Sequence, residues 1–246
     1  MPNGNRVARP GAPNGAAWPR ARHDRPVSTI EYVLPLVAHI EKDDPPARTD
    51  ALEAAARAVL VLLADPRSTE PDGEWHDVVE AWQGHRIRKV VRRARGGEWR
   101  RANTLPGITV AHRTAEVRVY PPIPLDGWPK DLAKLQVSGT DLDEPAAPPA
   151  AAPGTPVLWL NPTLEMTAGK AMAQVGHGSH LAWLGMGPAG RKEWAERDFD
   201  LAVRVAEPAA WPALTTSGRP VVRDAGFTEI APGSCTVVAD VPWPTR

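Results

Sequence analysis

Between Pro145 and Pro156 the chain reads P-A-A-P-P-A-A-A-P-G-T-P. Such a stretch offers almost no side chains to a core, and its prolines withhold the amide donors that helices and sheets need. It predicts an extended linker over residues 145–155, with a folded region on each side, 29–144 and 156–246. The chain has 28 prolines in 246 residues, and because they cluster they mark boundaries. Residues 1–28, rich in Pro, Gly, Asn and Arg with no apolar period, predict a disordered tail.

Several function classes fall away early. Cys235 is the sole cysteine, so one chain holds neither a disulfide framework nor a cysteine zinc site. No apolar run approaches the roughly 20 residues of a membrane span. The arginines at 6, 9, 20, 22 and 25 surround no apolar core of the kind a signal peptide needs. The expectation is a cytoplasmic protein with no membrane partner. Formal net charge is zero, so a nucleic-acid surface has to be a local patch.

The region 29–144 predicts a smaller, mostly helical α+β unit. Residues 30–40 read as a strand interrupted at Pro35. A helix follows Thr49 with Leu52, Ala56, Val59 and Leu63 on one face, and Pro66 stops it. A second helix starts after Asp72 with Trp75, Val79 and Trp82 on one face. Past Gly84 its apolar stripe moves to Ile87, Val90, Val91 and Ala94, and Arg88, Arg92 and Arg95 lie opposite, which predicts a bent basic helix. Residues 116–121 alternate as a strand, and no internal repeat is visible.

Beyond the linker, strands alternate with helices: strands at 157–160, 199–205, 220–224 and 236–240, a helix over 167–184, and a short one near 208–214. That rhythm predicts an α/β sheet with helices packed on it. At about 100° per residue, Lys170, Gln174 and His177 fall on one stripe of the longer helix. Lys170 stands in the first turn, where the helix dipole disfavours a cation by roughly 0.3–1 kcal/mol. A residue placed against its local preference points to function. Further on, Asp224 ends a strand, an Ala-Gly turn follows, and Thr228 and Thr236 flank a Pro-Gly turn. Polar groups at strand ends are where α/β sheets put their sites.

These strips are M-T-A-G-K-A-M-A-Q-V-G-H-G from Met166 and D-A-G-F-T-E-I-A-P-G-S-C-T from Asp224. Together they resemble the archaeal and eukaryotic (type II) peptidyl-tRNA hydrolase family, whose motifs read like M-S-x-G-K-x-A-A-Q-x-x-H-A and D-A-G-x-T-x-I-x-P-G-S-x-T. The resemblance covers about Pro156 to Asp240. It implies a three-layer α/β/α domain on a small mixed four-stranded sheet, and Lys170, Asp224, Thr228 and Thr236 at catalytic positions. Gln174 and His177 match its helix motif and are expected to bind substrate. Where the family carries an arginine-containing R-x-D-L, this chain has Asn161-Pro-Thr-Leu164.

The resemblance implies hydrolysis of the ester between a peptide and the terminal ribose of tRNA by water, with no metal and no other cofactor. The alternative is an inactive RNA- or ribosome-binding module of the same fold. The family often pairs, which makes a homodimer an expectation too. From Gly154 onward there are eight Lys/Arg and nine Asp/Glu, a poor polyanion binder. Gly84 to Arg101 holds eight basic residues against Glu98, so Arg88, Arg92 and Arg95 are expected to grip tRNA phosphates. The G-x-G-x-x-G run at 185–190 follows a helix and reads as a helix stop, not a dinucleotide loop.

Overall fold

The structure is a computed structural model that describes residues 30–226 and 230–245. The tail expected over 1–28 and the catalytic candidate Thr228 lie outside the described residues. The class is α/β, built on two mixed sheets.

The first half runs β1 (Tyr32–His39), α1 (Arg48–Ala64), α2 (Pro66–Thr69), α3 (His76–Gln83), β2 (Lys89–Ala94), α4 (Gly96–Ala102), β3 (Ile108–His112), β4 (Ala115–Val119), β5 (Ile123–Pro124) and α5 (Lys130–Ala133). Its sheet has the order β2-β1-β4-β3, and β5 pairs with the start of β1. The second half runs β6 (Val157–Leu160), α6 (Ala168–Gly185), α7 (Pro188–Glu196), β7 (Ala202–Val205), α8 (Trp211–Thr215), β8 (Val221–Arg223) and β9 (Cys235–Asp240). Its sheet has the order β7-β6-β9-β8.

The two orders are the same topology. In each half the first strand leads through its longest helix to a parallel neighbour, and the last strand returns antiparallel beside the first. The sequence shows no repeat because little more than the apolar alternation is shared. Register still aligns the halves: Val110 pairs with Val117 as Val222 pairs with Val237. Past that pair the register shifts in the second half, where Arg223 pairs with Cys235, and stays regular in the first, where Ala111 pairs with Glu116.

Helices α1 and α6 pack on each other between the sheets. Helix α1 lies on β3 and β4 and reaches β7, while α6 lies on β8 and β9 and reaches β2. Small side chains allow the approach. Helix α1 buries Ala51, Ala54, Ala55, Ala56 and Ala58, and a Cβ on Gly176 of α6 would come within 3.2 Å of Val59 Cγ2. One apolar core runs through both halves, from Leu34 and Leu60 to Leu158 and Val237. Residues 145–155, expected as linker, carry no helix or strand.

Two expectations for the first half change. The basic helix past Gly84 is the strand β2, which joins the five-stranded sheet of that region. The i, i+3, i+4, i+7 stripe was helix-like, but tertiary pairing overrides local period here. Residues 89–94 lie parallel to β1, and the β-branched pair Val90 and Val91 suits that half-buried ribbon. The second change is at Pro35, which does not interrupt β1. Its carbonyl accepts from the Tyr120 amide at 3.1 Å, so its missing N–H faces the gap where the partner of β1 changes from β4 to β5.

Candidate active site

The first turn of α6 is held from three directions. Thr167 caps it, accepting from the Lys170 amide at 3.3 Å. The first half supplies the other two: Thr140 Oγ1 accepts from the Gly169 amide at 3.0 Å, and the Arg48 guanidinium donates to the Met166 carbonyl at 2.8 Å. Lys170 is thus fixed at its backbone by both halves of the chain.

Asp224 comes to it from the end of β8, 54 residues along the chain. Its carboxylate takes three donors: the Lys170 ammonium, Gln174 Nε2 at 2.9 Å and the Gly226 amide at 2.8 Å. Gly226 has φ +79°, and a Cβ there would fall 2.3 Å from the Pro232 ring, so the turn requires glycine. The Asp224 amide donates to the Ser234 carbonyl at 2.9 Å, and its carbonyl accepts from Gly233 at 2.7 Å. The Ala-Gly and Pro-Gly turns are therefore pinned to each other. Thr236, fully buried in β9, donates to Gln174 Oε1 at 2.5 Å. A continuous chain results, Thr236 to Gln174 to Asp224, with Lys170 on the same carboxylate oxygen. The Lys170 side chain is 12% exposed and that of Asp224 4%, so the pair is largely buried.

His177 follows one turn after Gln174 but turns to the other half. Its Nδ1 lies 3.3 Å from Lys89 Nζ of β2, and Nδ1 of the fully buried His180 lies 3.2 Å from the same amine. Trp82 stacks on His180 with centroids 4.8 Å apart. Burial, then repulsion from Lys89, holds both imidazoles well below the usual histidine range, and burial likewise holds Lys89 well below the usual lysine range. Lys89 was read as one of the phosphate-gripping basic run; it is instead a core group. Its only sequence signal was its apolar setting, Ile87-Arg-Lys-Val-Val91.

The three arginines do not share a helix face. Arg92 is half-buried, donating to the carbonyls of Ala133 and Leu135 and lying 4.3 Å from the Trp128 ring centre. Arg88 precedes β2 and is half-buried, its carbonyl accepting from Trp82 Nε1 at 2.9 Å. Arg95 is exposed and lines a surface cleft with Lys42, Arg93 and Arg101, alongside Glu41 and Glu98.

A second cluster, missed in the sequence, joins Asp50 and Glu53 of α1 to His112 and Arg113. His112 Nε2 lies 2.8 Å from Glu53 Oε2, and Arg113 Nη1 lies 3.3 Å from Asp50. Glu53 Oε1 takes Arg204 at 2.7 Å and the Val203 amide at 3.0 Å, both from β7. Burial raises the Glu53 pKa, but the hydrogen bonds from His112, Val203 and Arg204 outweigh it and hold the carboxyl below its usual value. Asp50, Glu53 and His112 are close enough to share a metal ion. The guanidiniums of Arg113 and Arg204 already occupy these oxygens, which makes the cluster an ion-pair network.

Two clefts with polar rims lie away from Lys170 and Asp224, the one at Arg95 and one at the α6–α7 turn beside Met186 and Arg219. The G-x-G-x-x-G run is that turn: Gly185 ends α6, and α7 starts at Pro188. No helix among the described residues is long and apolar enough to cross a membrane. Neither a protein-family model nor a curated protein matches this chain.

Proposed function

We propose that this chain is a hydrolase that cleaves the ester between a peptide, or another N-blocked acyl group, and the terminal ribose of tRNA. The observation that carries the reading is the junction of Lys170 and Asp224, brought together from the start of α6 and the end of β8, with Gln174 and Thr236 behind them. These are the positions that the resemblance to type II peptidyl-tRNA hydrolases marks.

In this reading water attacks the ester carbonyl and the ribose hydroxyl leaves. Negative charge grows on the carbonyl oxygen, and the Lys170 ammonium stabilises it. Asp224 orients Lys170 and accepts the proton from water. Gln174 and Thr236 hold Asp224 in place, and Thr228 holds the water or the ribose. The tRNA phosphates run along the cleft of Lys42, Arg93, Arg95 and Arg101, which supplies the positive charge that the region after Gly154 lacks.

The second reading, an RNA-binding module of the same fold without turnover, is favoured by one observation. The Asp224 carboxylate is almost closed off and accepts three donors already. Release of labelled peptide from a model peptidyl-tRNA by the purified full chain separates the two. Turnover that survives chelator and disappears in Lys170→Ala supports the hydrolase, whereas saturable tRNA binding without release supports the module.

A further inference from the structure

Lys89 is a buried amine of the first half aimed at imidazoles of the second. It is 6% exposed, and its partners are the Ile87 carbonyl at 3.1 Å and Nδ1 of His177 and His180. The Trp82 ring, 4.8 Å away, closes one side. An amine that donates to His177 Nδ1 requires a lone pair there, which puts the imidazole proton on Nε2. His177 Nε2 has no hydrogen-bond partner among the described residues, and the ring is half-buried. Burial first, then Lys89 and the cations Lys170 and Arg191, hold the two rings below the usual histidine range.

We propose that Lys89 is a positioning residue for the α6 site: it fixes His177 as an Nε2–H donor on the same helix as Lys170, and that donor holds an oxygen acceptor at the acylated end of tRNA. The substrate role rests on the ester-hydrolase reading above; the positioning role does not. The arrangement gives the first half a part in the site that neither motif contains. A neutral N–H donor suits a polar oxygen that a second cation would hold too tightly to release.

The test is nitrogen-15 NMR of histidine-labelled full chain at neutral pH, with steady-state kinetics on an N-blocked aminoacyl-tRNA. In the wild type His177 carries its proton on Nε2. In Lys89→Met the tautomers mix, and KM rises about tenfold, the worth of one good hydrogen bond, with kcat within about twofold. Lys89→Gln, whose amide still donates, recovers most of the KM. His177→Ala gives the same rise, and adding it to Lys89→Met adds nothing. A wild-type spectrum with the proton on Nδ1, or an imidazolium, overturns the positioning. A Lys89→Met protein that melts earlier with unchanged KM overturns the substrate role, leaving Lys89 as packing. If Lys89→Met does not fold, the wild-type spectrum and His177→Ala decide the two points. A wild type that cleaves no ester removes the functional reading and the substrate role together, while the spectrum still rules on the positioning.

Discussion

In the second half the helix supplies the cation and the strand end the carboxylate, Lys170 to Asp224; in the first half the helix supplies the carboxylates Asp50 and Glu53, and the strand end answers with His112 and Arg113. Lys170 and Asp50 are each the third residue of their helix, Asp224 directly follows β8, and His112 ends β3. One topology thus brings a helix start and a strand end together twice. What differs is where the charge leads. Glu53, 1% exposed, is tied onward to the Val203 amide and Arg204 of β7, so the first cluster braces the two sheets. Lys170 and Asp224 instead pair within the second half, from the start of α6 to the end of β8. The same geometry makes a strut in one half and a candidate reaction site in the other.

The sharpest way to break that comparison is kinetic. Lys170→Ala and Asp224→Asn are each expected to lower kcat for a model peptidyl-tRNA by roughly 10²–10⁴-fold, the usual worth of a positioned acid–base or electrostatic group. Asp50→Asn is expected to leave it within twofold. Equal losses at all three positions would mean the charge pairs serve folding alike. Next comes stability. Glu53→Gln strips a buried carboxylate from Arg204 and His112, and urea unfolding is expected to show a loss of about 3–5 kcal/mol. A loss under about 1 kcal/mol would end its description as a strut.

The halves also separate by pH. A histidine held below its usual value costs nothing above the unfolded pKa near 6.5, and below it the unfolded chain binds a proton that the folded one refuses. Stability is therefore expected to fall as pH drops below about 6.5, with at most about 1.4 kcal/mol per pH unit from the fully buried His180. His180→Gln should flatten that limb in Tm-versus-pH curves. Glu53 has the other sign: its folded pKa is depressed, so its contribution is complete above the unfolded value of about 4.5 and lost as pH falls through the folded one. Glu53→Gln should lower the curve above that range and remove its contribution to the acid limb. The smallest effect is at the surface. Arg95→Glu is expected to raise KM a few-fold and to weaken its dependence on salt, because Arg95 is exposed in the basic cleft. Arg92→Glu is expected to lower Tm instead, since Arg92 holds the carbonyls of Ala133 and Leu135.

Much of the second half was legible in advance. Strand 157–160 has those bounds, and helix 167–184 is displaced by one residue at each end. Here local signals agree with one another: the Thr167 cap, an apolar face on the sheet, and strands bounded by Pro-Gly and Ala-Gly turns. The meeting of Lys170 and Asp224 was anticipated from two motifs, whereas Gln174, expected to bind substrate, is buried between Asp224 and Thr236. The first half was harder. Its run from Ile87 to Ala94 fits a helical period as well as a strand, and only β1 as a partner decides between them.

The amino-acid sequence by itself determined the α/β class, the helix that bears Lys170, and the turns that bear Asp224, because hydrophobic period, caps and turn residues act within a few positions of one another. Only the tertiary structure decided that the halves repeat one topology, that Glu53 and His112 meet, and that Lys89 turns inward to His177. Those are contacts between residues 59 and 88 positions apart, set by how two sheets close over one pair of helices. Nothing in the local pattern around Lys89 records which imidazole will face it, since that choice belongs to packing.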